Sequence, residues 1–141
     1  VSTERILRDS APAARALKKL EAEFARREQE LTKVGEQLKR MQDDLEKNGL
    51  TMPEAQRRTK ERDFNELNRD FQRKRRELQE DANQRKNEEL ASVVEAANRV
   101  IRQIAEAEKF DVILQDVVYF SPRIDITDKV IRALDGKPPA R

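Results

Sequence analysis

Between residues 11 and 48 the apolar positions recur with a heptad period. Leu17, Phe24, Leu31, Leu38 and Leu45 form one row, and Leu20, Val34 and Met41 form a second that is interrupted at Arg27 and Asn48. Two interleaved rows of this kind make an a/d seam, which predicts a long helix packed against another helix. Ser10 and Pro12 suit its start. Asn48-Gly49 suits its stop, with Gly49 in the left-handed conformation common just past a helix. Gly35 in mid-helix is expected to be a flexible point, because Gly there costs about 1 kcal/mol relative to Ala. The stretch Gly49-Leu50-Thr51-Met52-Pro53 is long enough only for a tight antiparallel return.

A second helix is predicted from Pro53 or Glu54 to about Ala107. Phe64, Leu67, Phe71 and Leu78 continue a heptad-like seam, with Lys74 in place of one member. From Gln79 to Glu89 the only apolar residue is Ala82, after which Leu90, Val93, Ala97, Val100, Ile104 and Ala107 resume the stripe. The step from Leu78 to Leu90 does not fit the heptad phase, so a register break, bend or splay is expected at residues 79–89.

Past residue 107 the pattern changes. Asp111–Gln115 and Val117–Phe120 read as two short strands, or as one bent strand, since Asp116 alone is too little for a hairpin turn. Ile124-Asp125-Ile126 alternates like a third. Thr127 is the expected N-cap of a closing helix that carries Val130, Ile131 and Leu134 on one face and ends at Gly136 and Pro138-Pro139. The predicted fold class is therefore α+β. A long antiparallel coiled-coil hairpin spans residues 11–107, with its tip near 48–53, and stands on a small β-rich association body built from residues 1–10 and 108–141.

Composition sharpens this division. Val and Ile occur three times in residues 1–89 and thirteen times in residues 90–141, while charged residues fill 38 of the 79 positions from 11 to 89. The overall charged share of 41% thus averages two different populations. The expected body core is Ile6, Val112, Ile113, Leu114, Val117, Val118, Tyr119, Phe120, Ile124, Ile126, Val130, Ile131 and Leu134. So few strands are marginal alone, which suggests that the body completes its core with other subunits. Tyr119 and Phe120, adjacent on a strand, should point to opposite faces, one to the core and one to an interface or the surface.

Several chemistries are excluded by residue type. The chain has no His and no Cys, which removes Cys/His zinc sites, Cys nucleophiles and Ser-His-Asp triads. Three glycines cannot build a phosphate-cradling loop, and no apolar run approaches the roughly 20 residues that span a bilayer. No enzymatic activity, cofactor or metal is expected. The charge is nonetheless uneven: residues 57–76 hold nine Lys or Arg and four Asp or Glu, on a chain whose formal net charge is +2. Arg57, Arg58, Lys60 and Arg62 are candidates for electrostatic contact with an acidic partner, although each could equally be part of a solvated helix face. Met41, Leu50 and Met52 are candidate apolar contacts near the tip.

Thr3-Glu4-Arg5-Ile6, Phe71-Gln72-Arg73-Lys74, Asn87-Glu88-Glu89-Leu90 and above all the segment from Val112 to Leu134 resemble the Skp/OmpH family of periplasmic chaperones. The segment VILQDVVYFSPRIDITDKVIRAL has the family's spacing of strand residues, break, DIT cap and closing helix. One departure is that the family's apolar opening strand is represented here by Val1 alone. The resemblance implies a jellyfish-like homotrimer in which helical tentacles enclose a cavity. It implies an ATP-independent holdase for unfolded outer-membrane proteins, located in the periplasm after removal of a signal peptide. It also places a candidate lipopolysaccharide or anionic-lipid patch at Arg75, Arg76, Arg85 and Lys86. The alternatives are a prefoldin-like cytosolic chaperone and a structural coiled coil or nucleic-acid adaptor. One Tyr and five Phe leave little for base stacking, so no nucleic-acid partner is expected.

Overall fold

The computed structural model describes residues 1–137. The Pro138-Pro139 stop expected after the last helix lies outside the described residues. The elements in chain order are α1 (Thr3–Asp9), α2 (Ala11–Asn48), α3 (Glu54–Glu108), a 3-10 turn (Pro122–Ile124) and α4 (Thr127–Leu134). They fall into two compact units, Ala22–Asn83 and Val1–Glu21 with the chain from Gln84 onward.

In the unit 22–83, α2 and α3 run antiparallel and pack along the apolar seam. Phe24 and Leu38 are buried there, and Phe64, Leu67 and Phe71 are half-buried on the facing helix. Gly35 is a packing position: a Cβ placed on it would lie 3.6 Å from the Phe71 ring, an ordinary van der Waals contact. Arg27, the interruption in the second apolar row, lays its guanidinium 5.6 Å from the centroid of the Phe24 ring and reaches Asp81 of α3 at 3.0 Å. The tip is closed by one carbonyl. Asn48 O accepts from the Thr51 and Met52 N–H groups at 3.1 Å and from the Thr51 hydroxyl at 3.0 Å. Gly49 does not adopt the positive φ expected of it. Its requirement is steric instead, because a Cβ there would meet the Leu45 carbonyl oxygen at 2.2 Å.

The other unit holds the apolar core. Ile6 of α1, Ala97 of α3 and Val130 of α4 are its buried centre, with Val100, Ile101, Ile104, Ile126, Ile131 and Leu134 packed around them. A neighbouring cluster joins Ala13 and Ala16 of α2 to Val93 of α3. Leu17, expected in the seam, is 47% exposed, and the small residues Ala13 and Ala16 take the inward positions. A straight helix at 3.6 residues per turn drifts away from a strict seven-residue repeat, and alanine lets the backbones approach. The start of α2 is fastened from two sides. Ser10 Oγ accepts from the Ala13 N–H at 3.4 Å, and Asp135 Oδ1 accepts from the Ala11 N–H at 2.6 Å. Through residues 84–89, part of the stretch where a register break was expected, α3 remains helical. Arg85 and Glu89 are half-buried there, and Lys19 of α2 donates to Glu89 at 3.0 Å.

The β-rich body is not present: no residue among the described ones is in a strand, and the fold is almost entirely helical. The N-terminal contribution to the body is helix α1, and Ile124 belongs to the 3-10 turn rather than to a strand. Residues 111–120 form no ladder. Their apolar alternation supplies strand propensity, but a strand also needs a neighbour for its N–H and C=O groups, and among the described residues only the Val1 ammonium meets this backbone, at the Leu114 carbonyl, 3.0 Å away. Lys109 and Asp116 both take positive φ, 59° and 57°, which ends α3 and breaks the extended run at the residue between the two expected strands. Thr127 is likewise not the cap of α4. It is the first helical residue, and Ile126 occupies the capping position without a side-chain bond.

Candidate functional site

The expected body-core residues separate into two groups. Ile6 and Val130 are 1% and 0% exposed, and Ile126, Ile131 and Leu134 pack against them. Val112, Leu114, Val117, Val118, Tyr119, Phe120 and Ile124 are exposed in the single chain, Val118 completely and Tyr119 to 85%; Ile113 is half-buried. The expectation that either Tyr119 or Phe120 would be in the core is not met, since both are outside. All of these residues between Val112 and Ile124 except Val118 line an open apolar cleft of about 380 Å³, together with Val1, Phe110 and Ile126. A contiguous exposed apolar surface of this kind is a candidate contact site.

Asp125 holds the edge of that surface in place. Its Oδ1 accepts from the Thr127 N–H at 3.0 Å and from the Thr127 hydroxyl at 2.5 Å. Thr127 Oγ1 in turn accepts from the Ser2 N–H at 2.9 Å, and Arg5 bridges from Asp125 to Asp128. The hydrogen bond from Thr127 is the main reason the Asp125 carboxyl is held below its ordinary pKa, with the Arg5 charge adding to it. Sequence reasoning missed Asp125. The available signal was its position two residues before Thr127, the spacing of an Asx turn.

On the charged helices, all four cations proposed for partner contact have carboxylate neighbours. Arg58 meets Glu54 at 2.7 Å and Lys60 meets Asp44 at 2.7 Å, whereas Arg57–Glu61 and Arg62–Asp63 are looser at 3.8 and 3.9 Å. Lys60, followed by Asn48, draws the Asp44 pKa down. Of the candidate lipid-patch residues, Arg85 is committed to Glu88 at 2.6 Å and Glu89 at 2.7 Å. Arg75, Arg76 and Lys86 are exposed. Lys19 and Arg85 together lower the Glu89 pKa. At the tip Leu50 is 94% exposed, while Met41 and Met52 are half-buried. Among the described residues no cluster of acidic side chains could hold a metal ion, and no helix is long and apolar enough to cross a membrane.

These features define an almost entirely helical chain with an exposed apolar segment and highly charged helices. Residues 1–134 match the family described as outer membrane protein (OmpH-like). The chain belongs to that family. It is 29% identical over 135 residues to the chaperone protein Skp of Blochmanniella pennsylvanica (strain BPEN), covering 94% of this chain and 81% of that protein. It is 26% identical over 134 residues to the chaperone protein Skp of Yersinia enterocolitica, covering 94% and 82%. A crystal structure of an OmpH-like outer membrane chaperone from Caulobacter crescentus CB15 superposes with a TM-score of 0.79 at 24% identity, over 96% of this chain and 81% of that one. That likeness concerns the fold.

Proposed function

We propose that this protein is a holding chaperone that binds unfolded outer-membrane proteins in the periplasm and keeps them from aggregating, without ATP and without a catalytic step. The observation that carries the reading is the family match over residues 1–134, together with two Skp chaperones that align with 94% of the chain. The chemistry agrees with it. A holding protein must bind many sequences weakly and let them go, which suits distributed charge and hydrogen bonding better than one deep apolar pocket. The helices of the unit 22–83 offer such a surface, and Leu50 adds an apolar contact at the tip.

The working form in this proposal is a homotrimer. Support comes from the exposed apolar residues between Val112 and Ile124, which a second and third copy would cover. The segment's contribution is association between subunits, while client contact belongs to the charged helices.

The test is dilution of a urea-unfolded outer-membrane β-barrel protein into buffer, with and without a few-fold molar excess of this chain and no nucleotide, followed by light scattering. Suppressed scattering is expected. Undiminished aggregation would contradict the proposal.

A further inference from the structure

The tip of the hairpin, within the unit 22–83, carries the chain's one Asn-Gly step, Asn48-Gly49. That pair is intrinsically reactive. With no Cβ on the glycine, its backbone nitrogen has an open approach to the carbonyl carbon of the asparagine side chain. Asn65, Asn68, Asn83, Asn87 and Asn98 differ: they lie inside α3 and are followed by Glu, Arg or Gln, whose side chains hinder that approach. The fold itself calls for the glycine, because a Cβ at Gly49 would meet the Leu45 carbonyl oxygen at 2.2 Å. The tight return therefore imposes a reactive step at this position.

The structure holds both reacting groups. Asn48 is the last residue of α2, and the Gly49 N–H donates back along the helix to the Leu45 carbonyl at 3.0 Å. The Asn48 amide Nδ2 donates to Asp44 Oδ1 at 2.8 Å, which keeps the side chain over the preceding turn. The other oxygen of that carboxylate, Asp44 Oδ2, accepts from Lys60 Nζ of α3 at 2.7 Å. Lys60, Asp44 and Asn48 thus form a chain of contacts that runs from one helix to the other. Asp44 and Lys60 are half-buried, whereas Asn48 is exposed to water.

We infer that Asn48 is a latent deamidation site, kept closed by the Lys60–Asp44 clamp and the Gly49–Leu45 bond, and released to react when the tip opens. The reaction needs water and no other reagent. The Gly49 nitrogen attacks Asn48 Cγ, the N–Cγ bond forms, and the Cγ–Nδ2 bond breaks. The Gly49 amide proton leaves with Nδ2 as ammonia, and a five-membered succinimide remains. Water then adds to either ring carbonyl and opens the ring to aspartate or isoaspartate, with no change in oxidation state. Both products loosen the tip. Aspartate exchanges an amide donor for a second carboxylate four residues from Asp44, a like-charge pair on one helix face and at the negative end of the helix dipole. Isoaspartate is more disruptive, since the Asn48 main-chain carbonyl becomes a free carboxylate outside the main chain. That carbonyl is the acceptor for the Thr51 and Met52 N–H groups.

The experiment incubates the full chain in mildly alkaline buffer and follows the tryptic peptide 48–57 by mass spectrometry. That peptide holds no other asparagine, and fragmentation separates Asn48 from Gln56. The folded wild type is expected to react about tenfold or more slowly than the same chain unfolded in urea, because reaction proceeds from the locally opened form. Asp44→Ala and Lys60→Met should each react about fivefold faster than the folded wild type, the factor that one hydrogen bond contributes. Asp43→Ala removes a neighbouring carboxylate outside the clamp and should remain within about twofold of the wild type. Circular dichroism verifies that helicity is kept, and Lys60→Met tests the clamp without altering α2. The product itself is tested by thermal melts. Asn48→Asp should melt below Asn48→Ala, with the gap narrowing at high salt. Equal rates in the folded and unfolded chain would overturn the inference, as would clamp variants that stay helical and react no faster than the wild type. An Asn48→Asp variant that melts with Asn48→Ala would overturn the loosening of the tip.

Discussion

Two apolar groups in the same unit have nearly the same composition and opposite surroundings. Ile6, Val130 and their neighbours are enclosed by α1, α3 and α4, whereas Val112 to Ile124 is uncovered over most of its length. The difference lies in what each backbone has to satisfy. Helical residues bond within their own segment, so α1 and α4 need only an apolar face to dock. Residues 111–120 would need a neighbouring strand, and among the described residues only the Val1 ammonium reaches their backbone, at Leu114 O. One group is enclosed by the chain's own helices, and the other is exposed in the single chain.

The sharpest way to break this comparison is truncation on both sides of it. Ile6→Ala should destabilise the chain by about 2–5 kcal/mol, the range for deleting a buried aliphatic side chain. Val118→Ala should change stability by no more than about 0.5 kcal/mol, as for an exposed substitution. Urea unfolding at a concentration low enough to prevent association reads both. Comparable losses would mean that the exposed segment belongs to the core.

The polar anchor between the two groups comes next. Asp125→Ala removes the acceptor of both Thr127 bonds and should cost about 1–3 kcal/mol, the usual range for leaving buried donors without a partner, measured by the same unfolding curves. In the charged unit, Gly35→Ala should stabilise by roughly 0.5–1 kcal/mol, since the added methyl group only touches the Phe71 ring. Gly49→Ala should destabilise instead, because its methyl group would strike the Leu45 carbonyl. Thermal melts of the two variants should therefore move in opposite directions.

The smallest effect concerns pH. Asp125, Asp44 and Glu89 all have folded pKa values below their ordinary ones, so the folded state binds fewer protons than the unfolded state as the medium is acidified. Their contribution is complete above the ordinary carboxylate range, near pH 4, and is lost as pH falls through the lowered folded values. The urea midpoint should be flat from about pH 5 to 8 and decline below about pH 4. Asp125→Asn should weaken that decline more than Asp44→Asn, since Asp125 is enclosed by Thr127 and Arg5 and Asp44 is on an open surface.

The helices were legible in the sequence because their signal is local. The heptad rows through Phe24, Leu31 and Leu38, the Asn48 stop and the polar gap before Leu90 all report on a chain that satisfies its own backbone. The segment 111–120 misled because alternation of Val, Ile and Leu reports propensity and says nothing about a neighbour. The strand reading gave way to an irregular run with Asp116 at positive φ. Leu17 was misplaced because a strict heptad was extended into a region where the helix drifts onto Ala13 and Ala16. The charged positions were legible as a cluster at 57–76 but not as partners. Which cations are neutralised depends on where Asp44, Asp70 and Asp81 fall around two packed helices, and a count of charges does not contain that.

The central claim is that the exposed apolar segment joins subunits and does not belong to the chain's own core. Sedimentation equilibrium of the wild type and of Val118→Glu/Tyr119→Glu, with circular dichroism on the same samples, tests it directly. The account predicts the mass of three chains for the wild type, the mass of one for the variant, and the same helical signal in both. A one-chain wild type, or a variant that keeps the wild-type mass or loses its helical signal, would contradict it.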